Sequence, residues 1–265
     1  MMRSIVITGS TRGIGYHLAS AFLERDCAVT ISGRTPAAVE DALTGLSAKY
    51  PLERVYGIAC DVTDFAQVQM LWEQAQNHFG KIDIWINNAG TASPRINFWD
   101  LPPEKYNEVV QVNLIGTMYG TKVALSGMLS QGYGALYNME GFGARGQGMQ
   151  GMTLYGSTKA AVHFINRSLA KEVKETPVIS GSIAPGMVIT EMITRQYRGR
   201  ESDLEKAKPI LNIIAERPEK VAPVLAQKIL SNHKNGVTIA FSSPARIMLR
   251  FFTAPFKKRD LFSPQ

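Results

Sequence analysis

Tyr155 and Lys159 stand four residues apart in Leu154-Tyr155-Gly156-Ser157-Thr158-Lys159, where an apolar, helix-forming run begins. Four residues are about one helical turn, so both side chains leave the same face. An ammonium beside a phenol favours the phenolate, which predicts a Tyr155 pKa below its ordinary value of roughly 10. A phenol tuned in this way can give or take a proton near neutral pH. Such a pair arises by chance in many chains. Its weight here comes from a second cluster nearer the N-terminus, Thr8-Gly9-Ser10-Thr11-Arg12-Gly13-Ile14-Gly15.

Short apolar runs alternate with helical-period segments and supply the elements that must position these clusters. Residues 4–8, 28–32, 55–59, 82–87, 135–139, 178–184 and 236–240 read as strands. Residues 14–25, 36–49, 65–78, 103–131, 155–174 and 218–231 read as helices. Nearly continuous apolar strands in strict β-α-β alternation predict a parallel sheet covered on both faces. The expected architecture is α/β: a single doubly wound Rossmann-type domain over 1–265, with a parallel seven-stranded sheet and helices on both faces. No internal repeat or linker divides it.

At 265 residues and 45% hydrophobic composition the chain can bury one large core. No run approaches the roughly 18 apolar residues of a membrane span. The first strand begins near residue 4, which leaves no room for a targeting peptide and predicts a cytoplasmic protein, peripheral to a membrane at most. Cys27 and Cys60 read as reduced core thiols, and no metal-ligand cluster is present. The formal charge is 29 − 22 = +7, with basic residues scattered until Arg246, Arg250, Lys257, Lys258 and Arg259. No nucleic-acid module accompanies that charge.

Gly9, Gly13 and Gly15 follow the first strand and open the first helix, where free N–H groups and the helix dipole suit a pyrophosphate. Ser10, Thr11, Arg12 and Ile14 complete this turn. The second strand ends in Ser32-Gly33-Arg34 without the carboxylate that commonly bonds a ribose 2′-hydroxyl. Arg34 and Arg12 instead suit a 2′-phosphate, which predicts NADPH. Asp61-Val62, Asn88-Ala89-Gly90 and Pro185-Gly186 with Val188 and Thr190 follow later strands, at the carboxyl edge where such sheets bind ligands. Asn113 falls inside the long helix 103–131, where a buried amide needs partners.

With these motifs in place the chain resembles the short-chain dehydrogenase/reductase family over about residues 3–240. The resemblance rests on TGSTRGIG (8–15), DV (61–62), NNAG (87–90), Asn113, YGSTK (155–159) and PGMVIT (185–190). It implies that Tyr155 protonates a carbonyl oxygen as hydride arrives. It further implies that Lys159 holds the ribose and tunes Tyr155, and that Asn113 positions a water in a proton relay. Val188 and Thr190 match positions that hold the nicotinamide carboxamide or the adjacent phosphate.

One departure narrows the function. The family pattern N-x-S-S ends the fifth strand, and its second serine bonds the substrate carbonyl. Here the segment reads Asn138-Met139-Glu140-Gly141, with Gly141 in the serine position. A lost oxyanion donor costs about 3–4 kcal/mol of transition-state stabilisation unless replaced. A Glu140 carboxylate has the wrong charge for this task and would donate only if burial kept it protonated. Alternatively it caps or pairs nearby, while Gln147, Gln150 or Thr153 supplies a neutral donor.

The acidic-Gly pair also resembles the plant-type chlorophyll b reductase branch of the family, together with NMEGFGARGQGMQGMTLYGSTK (138–159), ILNIIAERPEKVAPVL (210–225) and ARIMLRFF (245–252). That likeness implies NADPH-dependent reduction of the 7-formyl group of chlorophyll b to 7-hydroxymethyl chlorophyll a. The apolar residues between Met187 and Ile214 fit a lipophilic substrate under a covering segment. The tail 245–265 interleaves basic and aromatic residues, which suits an anionic membrane or a neighbouring subunit. Family resemblance implies a homodimer or homotetramer. The alternatives are a general NADPH-dependent carbonyl or 3-oxoacyl reductase, and a non-catalytic NADPH-binding sensor or scaffold.

Overall fold

The computed structural model describes residues 2–254, 256 and 259–262. Seven parallel strands run in the order β3-β2-β1-β4-β5-β6-β7. They are β1 (Ser4–Ile7), β2 (Ala28–Gly33), β3 (Val55–Ala59), β4 (Ile84–Asn87), β5 (Gly134–Met139), β6 (Val178–Ala184) and β7 (Thr238–Ala240). Residues alternate between faces, so Ile5 and Ile7 join one core with Phe22, Leu225 and Ile229. Val6 joins the opposite core with Leu71, Trp72, Trp85 and Met128. Both faces are therefore buried, as the continuous apolar strands require, and the expected doubly wound fold is the one observed. Strand order reverses between β1 and β4, which opens a crevice at the carboxyl edge.

Local chemistry sets the helices. In α1 (Gly13–Leu23) the N-cap is Arg12, whose side chain makes no capping bond, so the first-turn N–H groups stay open. By contrast α2 (Pro36–Ser47) is capped by Thr35, and α3 (Phe65–Phe79) by Asp64, with Gly80 ending α3 at φ 76°. The predicted helix 103–131 is interrupted: α4 (Pro103–Val110) passes through a π-helical turn, Gln111–Ile115, into α5 (Gly116–Gln131). The wide turn falls on Asn113 and re-aims that stretch toward the crevice. The chain continues through α6 (Thr153–Glu172), α7 (Glu191–Arg195), α8 (Glu201–Ile214), α9 (Pro218–Leu230) and α10 (Pro244–Thr253). Of the basic tail residues, Lys257 and Lys258 lie outside the described residues. No described helix is long and apolar enough to cross a membrane.

Candidate active site

Every strand from β1 to β6 delivers a motif to one cavity of about 1790 Å3 at the carboxyl edge. The glycine turn is fastened by bonds between side chains and main chain. Asn88 Nδ2 donates to the carbonyls of Thr8 and Gly9, both at 2.9 Å. Thr8 Oγ1 accepts from the N–H groups of Asn88 at 3.0 Å and Ala89 at 3.1 Å. Gly9, at φ +60°, comes so close to this loop that an added Cβ would sit 2.7 Å from Ala89 Cα. Thr11, Arg12, Gly13, Ile14 and Gly15 line the cavity with Arg34, Asp61, Val62, Asn88, Ala89, Gly90, Pro185, Gly186, Val188 and Thr190. A glycine-rich turn beside open helix N–H groups fits a pyrophosphate.

Ser10 differs from expectation. It is fully buried, its hydroxyl donates to Ile7 O at 2.6 Å, and it accepts from Ser32 N at 3.0 Å. Its side chain joins β1 to β2 behind the turn and is spent on the fold. Arg34 and Arg12 share the cavity wall, with Arg12 Nη1 3.5 Å from Glu191 Oε2 on the opposite rim. Both thiols are free and buried, and burial with nearby Asp61 and Asp64 pushes Cys60 up to about 12.

Tyr155 and Lys159 meet at the end of β5, on one face of α6. Lys159 Nζ donates to Met139 O at 3.0 Å and lies 5.9 Å from the Tyr155 ring centroid. Lys159 is 4% exposed. Burial pulls its ammonium down to about 8, against the opposing pull of the Glu140 carboxylate. Burial also pushes the Tyr155 hydroxyl up to about 12. This corrects the expected downward shift: in this structure desolvation outweighs the lysine, whose head group bonds a main-chain carbonyl instead of the phenol. The phenol therefore holds its proton through neutral pH.

Asn113 is fully buried behind the wall. Its Oδ1 accepts from Thr91 N at 2.8 Å, and its Nδ2 donates to Thr91 O at 2.9 Å and Thr158 Oγ1 at 3.2 Å. The π turn thus pins the loop after β4 to α6. Gly141 borders Tyr155 so closely that an added Cβ would collide with the phenol oxygen and lie 3.2 Å from Lys159 Cγ. Serine at this position would displace the tyrosine. Glu140 pairs with His163, Nδ1 to Oε1 at 2.9 Å, and faces Arg145 Nε at 3.7 Å. Gln147 and Gln150 reach the cavity, while Thr153 sits outside it.

A lid closes the substrate side. Met192, Ile193, Ile210, Leu211 and Ile214 from α7 and α8 line the cavity with Met187 and Val188. Arg95 ties the loop after β4 to this lid, bonding the Tyr197 hydroxyl while its carbonyl accepts from Arg200 Nη1. Residues that the sequence reading missed include Arg95, Tyr197, Arg145 and His163. Only His163 left a signal, the four-residue spacing Tyr155, Lys159, His163.

The short chain dehydrogenase family model matches residues 3–201. The probable chlorophyll(ide) b reductase NYC1, chloroplastic, of Oryza sativa subsp. japonica is 35% identical, over 99% of this chain and 54% of that protein. The chlorophyll(ide) b reductase NOL, chloroplastic, of Arabidopsis thaliana is 35% identical, over 85% and 65%. The chain thus spans between about half and two thirds of these relatives' lengths. Among solved structures, ElxO with NADP bound superposes with a TM-score of 0.79 at 26% identity, covering 91% of this chain and 97% of that one. Levodione reductase has the same fold, with a TM-score of 0.82 at 24% identity and coverage of 92% and 97%.

Proposed function

This chain belongs to the short-chain dehydrogenase/reductase family of oxidoreductases, and from that premise we propose that it uses NADPH to reduce a formyl group on a flat, lipophilic substrate of the chlorophyll b type. The observation that carries this reading is the geometry of one cavity. It runs from the glycine turn past Tyr155 to an apolar lid, and its volume of about 1790 Å3 takes in the cofactor cradle and the substrate side together. The similarity to chlorophyll(ide) b reductases supports the pigment as substrate.

A nicotinamide cofactor fits the cradle above, where the α1 N-terminus would hold its pyrophosphate. Arg12 and Arg34, with no carboxylate at the end of β2, favour the 2′-phosphate of NADPH. When bound, it supplies the hydride that enters the carbonyl carbon. Tyr155 gives its proton to the carbonyl oxygen as negative charge develops there, which completes a hydroxymethyl group. Lys159 presents a positive charge to the phenolate that remains. Asn113 positions Thr91 and Thr158 around this pair. Of the neutral donors expected from the sequence, Gln147 and Gln150 line the cavity.

The exposed residues Met248, Leu249, Phe251 and Phe252 of α10 suit peripheral contact with an anionic membrane, next to Ile247 at the cavity rim. Vesicle co-sedimentation tests that contact, and sedimentation velocity tests the homo-oligomer that family membership suggests. The functional reading is tested by incubating the protein with NADPH and detergent-solubilised chlorophyll b, following pigments by absorbance and chromatography. Formation of 7-hydroxymethyl chlorophyll a is expected. Turnover of small ketones or oxoacyl thioesters with the pigment untouched would replace it with a general carbonyl reductase. NADPH binding without turnover of any carbonyl would point to a sensor.

A further inference from the structure

The acid at the end of β5 has no part in the proton transfer above, yet it is built into the site with care. Met139 accepts from the Lys159 ammonium at 3.0 Å, and the next residue, Glu140, donates its N–H to Ile183 O at 2.8 Å. The Glu140 side chain is 3% exposed, with Oε1 2.9 Å from His163 Nδ1 and Oε2 3.7 Å from Arg145 Nε. Tyr155, Lys159 and His163 recur every four residues on α6 and so share a face. Two adjacent residues of β5 therefore tie successive turns of that face, Met139 to Lys159 and Glu140 to His163.

The surroundings suit a charge. Behind the carboxylate lies a small cavity of about 30 Å3 lined by His163, Asn166, Arg167, Ser182 and Thr238, room for about one water. Asn166 Nδ2, buried beside it, has no partner among the described residues. The carboxylate is bonded to an imidazole and faces a guanidinium, and a buried charge persists where it has such partners. The titratable groups around the lysine are then Tyr155 from its own helix, Glu140 from the end of β5, and behind it His163, Arg145 and Arg167. Of these, Glu140 is the one whose charge opposes the desolvation of Lys159.

We propose that Glu140, clamped by His163 and Arg145, is a positioning residue that keeps the Lys159 ammonium charged and fixed beside Tyr155. Gly141 and Glu140 then work as a unit. The glycine leaves room for the phenol, and the acid acts through the lysine. This inference rests on the roles given to Tyr155 and Lys159 above.

The test compares wild type, Glu140→Gln, Glu140→Asp and His163→Gln, each as the full chain with NADPH. The Lys159 ammonium is titrated by NMR on 15N-lysine-labelled protein, and the pH profile of kcat is measured beside it. In Glu140→Gln the lysine midpoint should fall by about 1 pH unit, and the alkaline limit of kcat should fall with it. KM should hold, and Glu140→Asp should restore most of the shift. His163→Gln, which keeps the acid but loosens it, should move both midpoints by less. A uniform loss of activity at every pH, with the lysine midpoint unmoved, would make Glu140 merely structural and overturn the proposal. Should Glu140→Gln fail to fold, unmoved midpoints in His163→Gln overturn it equally. A shifted lysine midpoint in a protein that reduces no carbonyl would defeat the functional reading alone.

Discussion

At the dinucleotide end of the cavity, Asn88 reaches the main-chain carbonyls of Thr8 and Gly9. At the carbonyl end, acids gather basic side chains: Glu140 with His163 and Arg145, and Glu216 with Arg250 and Arg259 at 2.8 and 2.9 Å. Glu216 also joins the lid to the loop after β6, through its N–H to Met187 O and its carbonyl from Ile189 N. One end is thus set by backbone geometry and the other by charge. Backbone geometry changes little with pH, whereas charge pairs respond to both pH and salt. The glycine turn is held by bonds that do not titrate, and the end around Glu140 and Glu216 by pairs that do.

Three experiments bear on this contrast. The largest effect is expected from Gly141→Ser, which writes the family's serine back into the chain. Because the new Cβ meets the Tyr155 hydroxyl, turnover should fall by about 10²-fold, with melting temperature nearly unchanged. Faster turnover would show that the tyrosine yields and the serine is welcome. Next comes Arg34→Glu, a change at the dinucleotide end. Loss of a charge-assisted bond of about 1.5–3 kcal/mol should shift preference from NADPH toward NADH by roughly 10–100-fold, read as a ratio of kcat/KM values. An unchanged ratio would remove Arg34 from phosphate recognition.

The smallest effect needs no substitution. Tyr155, pushed up to about 12, stays protonated across the working range, so its titration does not limit reduction at ordinary pH. Lys159, pulled down to about 8, is charged below that pH and loses its proton as pH rises through it. Reductase activity should accordingly hold to about pH 8 and drop about tenfold by pH 9, when roughly a tenth of the lysine remains charged. NADPH binding at the α1 N-terminus should change less over the same interval. A rate that stays flat to pH 10 would mean that the lysine charge does not govern the step.

The contrast also explains what the sequence could disclose. Glycines at the turn and apolar runs in the strands act at their own positions, so Gly9, Gly15 and all seven strands were readable to within about two residues. Charge clusters converge from afar: Glu140 meets His163 across 23 positions and Glu216 meets Arg259 across 43. Nothing local announces either pair. The lid helix α8 was hidden because Pro209 lies inside it, a residue that ordinarily argues against a helix. The π turn at Asn113 depends on tertiary partners, Thr91 and Thr158, with no signature in residue type. The spacing of Tyr155 and Lys159 established the pair, but depth of burial decided which way the phenol shifted.

The central claim is that Tyr155 supplies the proton in a carbonyl reduction, and Tyr155→Phe tests it most directly. The variant should bind NADPH as wild type does while turnover of chlorophyll b falls by at least about 10²-fold. A Tyr155→Phe protein that binds NADPH and keeps wild-type turnover would contradict the account.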